Sequence, residues 1–529
     1  MLILGASLAA SHLYPPGQIC AKAPGHRGRQ SSGTALIDIR TAGEHIAEVA
    51  SGLRAYPGEE VLNAHGGTIV PGIHDHHVHL RAWAASYSSI MVGPPKVKDA
   101  MALATALRDA DSNPWSSSSS SGEARGWIRA VGYHESVAGN LDRWSLDSML
   151  PHRPLQLQHR SGSLWILNTR ALATLGLEAP DRSSPDLNDF GPQSSRFSPA
   201  QRMLSPNSLP PGIELDDYGR PTGRIWRQDR WLNNRLRAIK GDIPLDLAQI
   251  SRQAAAWGVT GFTDATADMD DSSLEQLAKA KSSGLIAQRL HLMVAPGSKI
   301  DPHGVLAPGV STGAVKIVLD DDKLPTFRAL CDLILQAHRR QRPIAVHCVT
   351  RVQACLLVAA LEEVKSLPGD RIEHGAVLSA DIIRSIKDLG VTVVTQPSFV
   401  STRGDQYLAD LDREDLRDLW RLGTLMDTGV RVALSTDAPF GHCNPWLSVL
   451  AASTRQAPSG RTLGPQERIS RGSALSLFFG RANHPTTLRT VSPGQPADLI
   501  ILDEWYKNLG APAVLATIIG GKVIHERLG

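Results

Sequence analysis

The chain has 529 residues, of which 42% are apolar and 20% charged, and this composition is ordinary for a globular protein. The length is too great for one small domain and predicts two or three units, or one large barrel with additions. The net charge of +3 comes from interspersed charges of both signs, so no basic block favours nucleic acid or an anionic membrane surface as a partner. No apolar run reaches the roughly 18 residues that span a bilayer.

The five cysteines are odd in number and include no C-x-x-C pair. This pattern argues against a disulfide framework and favours a reducing compartment. The apolar stretch 1–10 superficially resembles a secretory segment, but it lacks a basic region before the apolar residues. We therefore predict a first strand there and a cytoplasmic location.

Short strand candidates, separated by glycine and proline, occupy both ends of the chain. They are residues 35–39 and 43–49 near the amino terminus, and residues 497–502, 514–519 and 522–525 near the carboxyl terminus. The pair Gly520-Gly521 fits a hairpin turn between the last two. Because neither end can bury much surface alone, we predict that residues 1–70 and 486–529 combine into one small β-sandwich domain.

Residues 71–485 alternate short apolar runs with segments of helical spacing, such as 245–257 and 327–338. Eight runs predict strands: residues 68–73, 258–264, 290–294, 315–319, 344–348, 371–374, 391–396 and 430–437. Eight strands separated by helices predict an α/β fold of the (β/α)8 TIM-barrel type. In such a barrel the chemistry lies at the carboxyl ends of the strands.

A long insertion follows the first barrel strand, because the gap to the second strand is far too long for a single crossover. We predict that residues 85–245 cover the barrel mouth and shape the substrate pocket. Within them, residues 127–132 and 155–158 predict strands, and the serine run 116–121 predicts a flexible surface loop. Residues 180–211 carry few signals of helix or strand.

Four histidines crowd into the six positions 74–79, at the end of the first predicted strand. Alternate residues of an extended segment face the same side, so His77 and His79 can aim both imidazoles at one point. Two neutral imidazoles can supply two of the four or more ligands of a divalent-metal site. The alternative interpretation of the histidine cluster is a polar turn with local hydrogen bonds. The same alternation turns His74 and His76 away, to supporting or exposed positions.

Polar residues on other predicted strands strengthen the metal interpretation. Lys316 lies in the fourth strand, His347 near the end of the fifth, His374 at the end of the sixth and Asp437 at the end of the eighth. Each alone could be a hydrogen-bonded structural residue, and Asp437 could be a helix N-cap. Together they should emerge toward the same rim as the H-x-H pair.

These motifs form a specific combination that spans nearly the whole chain. They are Pro71-Gly72-Ile73-His74-Asp75-His76-His77-Val78-His79, Gly258-Val259-Thr260, Val315-Lys316-Ile317, Val346-His347, Arg371-Ile372-Glu373-His374, Gln396-Pro397, Ser435-Thr436-Asp437-Ala438-Pro439 and Gly494-Gln495-Pro496-Ala497-Asp498-Leu499. The combination resembles the amidohydrolase superfamily, and more narrowly its family-3 branch of N-substituted formamide deformylase-like metal-dependent hydrolases. The resemblance implies a (β/α)8 barrel with a terminal β-sandwich, in agreement with the strand pattern.

The resemblance also implies roles for the candidate residues. His77 and His79 would hold one divalent metal ion, His347 and His374 a second, and Lys316 would bridge them as its N6-carboxylated form. Asp437 would be a further metal ligand, and would act as general base toward water and as general acid toward the leaving amine. Zinc is the expected metal, although manganese, iron and cobalt also suit the ligand set, and the number of ions stays open.

Three positions depart from the family pattern where a substrate would be bound. Ser163 stands where the family commonly has histidine, Arg227 lies near a position that is usually acidic, and Arg351 replaces an aspartate after the fifth strand. Arg227 and Arg351 could meet an anionic substrate. The alternative is that both are exposed surface arginines.

These observations together predict a metal-dependent hydrolase that cleaves a carbon–nitrogen bond of an amide, formamide or carbamate-like small molecule. Lactone hydrolysis, deamination and decarboxylation are alternatives for the same site, and a barrel that binds metal or ligand without turnover is another. The presence of Asp437 argues against the last alternative, since a structural metal site needs no proton shuttle. Family members often form homodimers, and the sequence leaves the oligomeric state open.

Overall fold

The computed structural model describes residues 1–8, 36–112, 126–177, 209–240, 245–301, 304–503 and 511–528. The serine run 116–121 and residues 180–208 of the signal-poor segment therefore lie outside the described residues. The chain forms two compact units, residues 1–80 with 247–529 and residues 81–246, and each is described by itself. None of the described helices is both long enough and apolar enough to cross a membrane.

Strands and helices are numbered along the chain. The strands are β1 (Leu2–Leu8), β2 (Leu36–Ala42), β3 (His45–Ala50), β4 (Val61–Asn63), β5 (Thr68–Pro71), β6 (Ile73–Val78), β7 (Ile90–Met91), β8 (Ile128–Tyr133), β9 (Leu155–His159), β10 (Leu164–Leu167), β11 (Ile213–Leu215), β12 (Pro221–Trp226), β13 (Val259–Asp264), β14 (Arg289–Val294), β15 (Val305–Ala307), β16 (Val310–Val318), β17 (Ile344–Cys348), β18 (Arg371–His374), β19 (Thr392–Thr395), β20 (Arg431–Leu434), β21 (Leu499–Leu502), β22 (Val514–Ile519) and β23 (Lys522–Glu526). The α-helices are α1 (Leu80–Ser86), α2 (Ala100–Ser112), α3 (Glu135–Ala138), α4 (Arg143–Met149), α5 (Thr169–Thr174), α6 (Asp229–Lys240), α7 (Leu247–Ala256), α8 (Asp271–Ser282), α9 (Phe327–His338), α10 (Arg351–Val364), α11 (Ala380–Leu389), α12 (Ser398–Asp410), α13 (Arg413–Arg417), α14 (Leu422–Asp427), α15 (Pro445–Thr454) and α16 (Arg471–Ser476).

Strands from both ends of the chain share one sheet. Its order is β23-β22-β21-β5-β1-β2-β3, with β4 beside β1, and β21 runs antiparallel to β5. Gly520 and Gly521 form the two-residue turn between β22 and β23, and both have positive φ angles, as a type I′ turn requires. The two termini therefore pair in one sheet, while a two-layered sandwich stays a prediction.

The second sheet of the same unit has nine strands. One of them, β15, pairs antiparallel with β16, and the other eight are parallel in the order β6-β13-β14-β16-β17-β18-β19-β20. The last strand returns beside the first, where Val78 forms a parallel bridge with Ala438. This is a nearly closed barrel, and the predicted α/β barrel fold is confirmed. The predicted helices at 245–257 and 327–338 correspond to α7 and α9.

The first barrel strand is Ile73–Val78, so the prediction that residues 68–73 form it was wrong. Thr68–Pro71 pairs in the terminal sheet instead, and Gly72 joins the two strands. A Cβ at Gly72 would lie 2.2 Å from a side-chain atom of Thr260. The missing side chain therefore allows the chain to pass from one sheet directly into the other. The other seven barrel strands overlap their predicted runs.

The second unit contains a mixed six-stranded sheet in the order β11-β12-β10-β9-β8-β7. Strands β7, β8 and β9 are parallel neighbours, and the remaining pairs are antiparallel. Its core includes Leu103 and Leu107 from α2, Leu146 from α4 and Leu157 from β9. The strands predicted at 127–132 and 155–158 correspond to β8 and β9, while the predicted covering of the barrel mouth stays a prediction.

Candidate metal centre

The six candidate ligands lie on five barrel strands or directly after them. His77 is in β6 and His79 follows it, Lys316 is in β16, His347 in β17 and His374 at the end of β18, and Asp437 lies three residues beyond β20. Parallel strands of a barrel end at a common rim. The strand arrangement therefore directs these residues to one end of the barrel.

His77, His79 and Asp437 lie closest together. Asp437 Oδ1 lies 3.2 Å from His79 Nε2 and 3.6 Å from His77 Nε2. One ligand atom from each of the three residues lies within 4.8 Å of the other two. His374 extends the group, since its ring centroid lies 4.9 Å from that of His77 and 4.6 Å from that of His347.

Glu373 orients the first histidine of the group. His77 Nδ1 is hydrogen-bonded to Glu373 Oε2, and Arg371 Nη2 donates to the same oxygen at 3.1 Å. Burial acts to raise the pKa of the Glu373 carboxyl, but Arg371 and His77 hold that pKa well below its usual value. An ionised Glu373 accepts the Nδ1 proton of His77, so the lone pair of this imidazole lies on Nε2, where a metal can use it.

Two further histidines are oriented in the same way. His374 Nδ1 donates to Gln396 Oε1 at 2.8 Å, and Gln396 Nε2 donates to Ser435 Oγ at 2.8 Å. His79 Nδ1 lies 3.3 Å from Thr266 Oγ1. In each case the oxygen at Nδ1 favours the tautomer whose Nε2 is free to act as a ligand.

Asp75 supports the turn that positions Asp437. Its carboxylate accepts the Thr436 backbone N–H at 3.0 Å and the Thr436 hydroxyl at 2.5 Å. Asp437 in turn donates its backbone N–H to His77 O at 2.9 Å. Asp437 has a φ of 57°, a left-handed conformation that aspartate tolerates better than most residues. The first and last barrel strands therefore fix its carboxylate together.

The centre contains buried polar atoms that lack ordinary hydrogen bonds. Within the described residues, His77 Nε2, Lys316 Nζ and Asp437 Oδ1 have no hydrogen-bond partner of ordinary geometry. Each such atom costs about 1–3 kcal/mol when it is removed from water. A divalent cation bound by His77 Nε2 and Asp437 Oδ1 would remove this cost for those two atoms, so these side chains fit a metal ion.

Burial also sets the protonation of these side chains. It lowers the pKa of Lys316 to about 8, and burial together with the nearby Lys316 lowers the pKa of His77 to about 3. Burial acts to raise the pKa of Asp437, but His79 and His77 hold that pKa below its ordinary value. Neutral imidazoles beside an ionised carboxylate are the states that bind metal.

The predicted substrate contacts fall into two groups. Ser163 and Arg227 lie in the second unit, where the Arg227 backbone N–H donates to Ser163 O at 2.8 Å. Arg351 lies in the first unit, and its guanidinium donates to Asp415 Oδ1 at 2.7 Å and to Asp418 Oδ2 at 2.9 Å. These carboxylates balance the charge of Arg351, and its contact with an anionic substrate stays a prediction.

His74 and His76 are both buried, and the exposed alternative for them was wrong. Their ring centroids lie 4.7 Å apart, and His74 Nε2 lies 2.9 Å from Thr263 Oγ1. The alternation of side chains along the strand places His74 and His76 on the opposite face from His77 and His79. It does not predict exposure, because both faces of a barrel strand can be buried.

Sequence reasoning assigned no role to Glu373, Gln396, Asp75 or Thr266. The first three belong to the conspicuous motifs, and the charged pair Arg371 and Glu373 within a buried strand was the clearest available signal. Thr266 follows β13 without any pattern that marks it.

Comparisons with known proteins agree with this architecture. The sequence profile of the amidohydrolase family matches residues 60–525. N-substituted formamide deformylase from Arthrobacter pascens is 23% identical over 90% of this chain and 91% of its own length, and putative amidohydrolase YtcJ from Bacillus subtilis (strain 168) is 22% identical over 89% and 91%. An uncharacterized metal-dependent hydrolase from Pyrococcus furiosus has a similar fold, with a TM-score of 0.63 and 18% identity over 95% of this chain and 98% of its own.

Proposed function

The chain belongs to the amidohydrolase family, and we propose that it is a metal-dependent hydrolase that cleaves a carbon–nitrogen bond in an amide, formamide or carbamate-like small molecule. The observation that carries this proposal is the convergence of His77, His79 and Asp437, whose ligand atoms lie within 4.8 Å of one another. The similarity to a formamide deformylase supports the choice of bond.

Two groups of side chains would hold the metal. His77, His79 and Asp437 would bind one divalent ion, and His347 with His374 would bind a second. Imidazole nitrogens with a carboxylate suit zinc best among the common metals. When bound, the metal supplies a Lewis acid that polarises a carbonyl and lowers the pKa of water toward about 7.

Lys316 would join the two ion sites as a carbamate. Its Nζ is buried and has no hydrogen-bond partner in the described part of the chain. Because burial lowers the pKa of Lys316 to about 8, a larger share of its amine is neutral than for an exposed lysine. The neutral nitrogen attacks carbon dioxide, a nitrogen–carbon bond forms and one proton leaves. The product offers two carboxylate oxygens as ligands, whereas an ammonium offers none.

Asp437 is the group in this site that can move a proton. Its ionised carboxylate takes a proton from the attacking water, whose oxygen joins the carbonyl carbon. The carboxyl group then gives that proton to the amine nitrogen as the carbon–nitrogen bond breaks. The hydrogen bond from the Asp437 backbone N–H to His77 O keeps the carboxylate at the rim during both transfers.

Replacing Asp437 with asparagine tests this role, because the amide cannot accept and return the proton. We expect the Asp437→Asn variant to turn over N-acyl substrates about 10²–10⁴-fold more slowly than the wild type. The measurement is kcat on a panel of amides, formamides and carbamates, with zinc content determined in each preparation. Asp381→Asn removes the same charge from an exposed position on α11 and is the matched control. Unchanged turnover in Asp437→Asn at full zinc content would rule out the proposed mechanism.

The panel also includes lactones, amino-substituted heterocycles and carboxylic acids. Addition of water, loss of ammonia and loss of carbon dioxide change the product mass differently, so mass analysis separates hydrolysis from deamination and decarboxylation. The substrate contacts of Ser163 and Arg227, the cytoplasmic location and a homodimer stay predictions.

A further inference from the structure

A second group of metal-ligand side chains lies entirely within the second unit. His134 follows β8 and His159 ends β9, two parallel neighbours in which Tyr133 pairs with His159. Glu135 Oε2 lies 3.1 Å from His159 Nε2 and 3.6 Å from His134 Nε2. One ligand atom from each of His134, Glu135 and His159 lies within 4.8 Å of the other two.

We propose that His134, Glu135 and His159 form a separate binding site for one divalent transition-metal ion, with zinc as the best fit. Two imidazole nitrogens and one carboxylate oxygen are a ligand set that zinc accepts, with a fourth position left for water or another ligand. Ligand atoms about 2.0–2.1 Å from zinc lie about 3.4 Å apart in a tetrahedron. The observed separations of 3.1 and 3.6 Å from Glu135 Oε2 lie on either side of this value.

A nearby serine forms a hydrogen bond with Nδ1 of each of the two histidines. Each is followed two residues later by a serine, and the Nδ1 atoms of His134 and His159 lie 2.8 and 2.7 Å from Ser136 Oγ and Ser161 Oγ. The two rings are stacked, with centroids 5.8 Å apart and planes inclined by 30°. As at the barrel histidines, hydrogen bonds at Nδ1 hold each ring in place and the Nε2 atoms converge, although here Nδ1 accepts a backbone N–H instead of donating.

Metal binding at this site requires a change of tautomer. Without metal, the backbone N–H groups of Ser136 and Ser161 point to the two Nδ1 atoms at 3.2 Å, so the ring protons lie on Nε2 and face Glu135. In the bound form each proton moves to Nδ1, where the serine Oγ accepts it. Because two backbone hydrogen bonds are lost, we expect weaker zinc binding than at the barrel centre.

The site is accessible and suitably charged. The side chains of His134 and His159 are partly exposed, and that of Glu135 is 41% exposed, so an ion can reach them from solution. The carboxylate of Glu135 lies between the two imidazoles and supplies the negative charge that attracts a cation.

The test uses the full chain with the ligands of both proposed barrel ions disabled by His77→Asn, His79→Asn, His347→Asn and His374→Asn. In this background His134→Asn and His159→Asn remove both Nε2 atoms, while the asparagine Oδ1 can still accept the serine N–H. Zinc bound per chain is measured by elemental analysis after dialysis against a fixed concentration of free zinc. We expect one zinc in the background protein and none after the two further changes. His152→Asn, at an exposed histidine of the same unit, should leave one zinc bound.

Either of two results would overturn the proposal: a folded background protein that binds no zinc, or zinc that persists after both His134→Asn and His159→Asn. Circular dichroism establishes folding in each case. If the background protein does not fold, the wild type is compared with its own His134→Asn/His159→Asn variant. The expected loss is then one equivalent of zinc, and equal zinc content in the two proteins would contradict the site.

Discussion

The two histidine clusters offer similar candidate ligands in different surroundings. In the barrel, Glu373 is fully buried and contacts His77 across two strands that are far apart in sequence. In the second unit, Glu135 is 41% exposed and the supporting serines lie two residues from their histidines. The orientation of the barrel ligands thus depends on the whole barrel, whereas the second cluster depends on two short segments and one strand pair. Variants that remove the support of each cluster should separate the two cases.

The largest effect is expected for Glu373→Gln. Arg371 would lose its buried ionic partner, and breaking a buried ion pair costs about 3–5 kcal/mol of unfolding free energy. His77 would also lose the charge behind Nδ1, so we expect zinc affinity at the barrel to fall about 10–100-fold. Urea unfolding and zinc titration measure the two effects.

Glu363→Gln is the matched control, since it changes the same residue type at an exposed position of α10. It should shift the unfolding free energy by less than about 0.5 kcal/mol. A Glu373→Gln protein with wild-type stability and zinc affinity would show that the buried carboxylate does not orient His77.

A smaller effect is expected for Gln396→Leu. The leucine removes the oxygen that accepts the His374 Nδ1 proton, so His374 can rotate or change tautomer. We expect the affinity for the proposed second barrel ion to fall about tenfold, the smallest loss expected when a group that orients a ligand is removed. Zinc titration of the two barrel ions measures this loss. Gln396→Glu is the control: it keeps an acceptor for His374 Nδ1, and the Ser435 hydroxyl can turn to donate to it, so this variant should retain most of the affinity. Equal losses in both variants would show that Gln396 does not orient His374.

The smallest effect is expected for Ser161→Ala in the second unit. The alanine removes the acceptor of the His159 Nδ1 proton in the metal-bound form. One hydrogen bond contributes about 1 kcal/mol, so zinc affinity at this cluster should fall about fivefold. Zinc titration in the barrel-disabled background measures it. Ser148→Ala, on the exposed side of α4, is the control and should leave the affinity unchanged. If Ser161→Ala lowered zinc affinity as much as Gln396→Leu does, the expected difference between the two clusters would be wrong.

Periodicity predicted most of the barrel, because a buried parallel strand leaves a short apolar run that can be recognised locally. It failed at residues 68–73, where one apolar run continues through two sheets. The passage at Gly72 depends on the close approach of Thr260, a residue almost two hundred positions away. No local pattern contains that contact, so the start of β6 could not be predicted.

The convergence of the candidate ligands was predictable because each lies in or just after a predicted barrel strand, and parallel barrel strands share a rim. The groups behind the ligands were not, since alternation does not show which side chains of different strands meet. Glu373 faces His77 because β18 and β6 belong to the same nearly closed barrel. His134 and His159 were missed for a related reason: their proximity follows from the register of β8 and β9, which neither sequence segment shows alone.

The hydrogen bond from Thr436 to Asp75 joins residues 361 positions apart. Such a contact closes a very long loop, so it costs more chain entropy to form than a contact between neighbouring strands. His77 lies in the first barrel strand and Asp437 follows the last one, so they come from the two strands that this contact brings together. A nascent chain on the ribosome therefore has no complete barrel centre until its eighth barrel strand has been synthesised. Metal binding at the proposed centre would stabilise the assembled barrel by linkage, so metal supply would influence the yield of folded protein as well as the proposed activity.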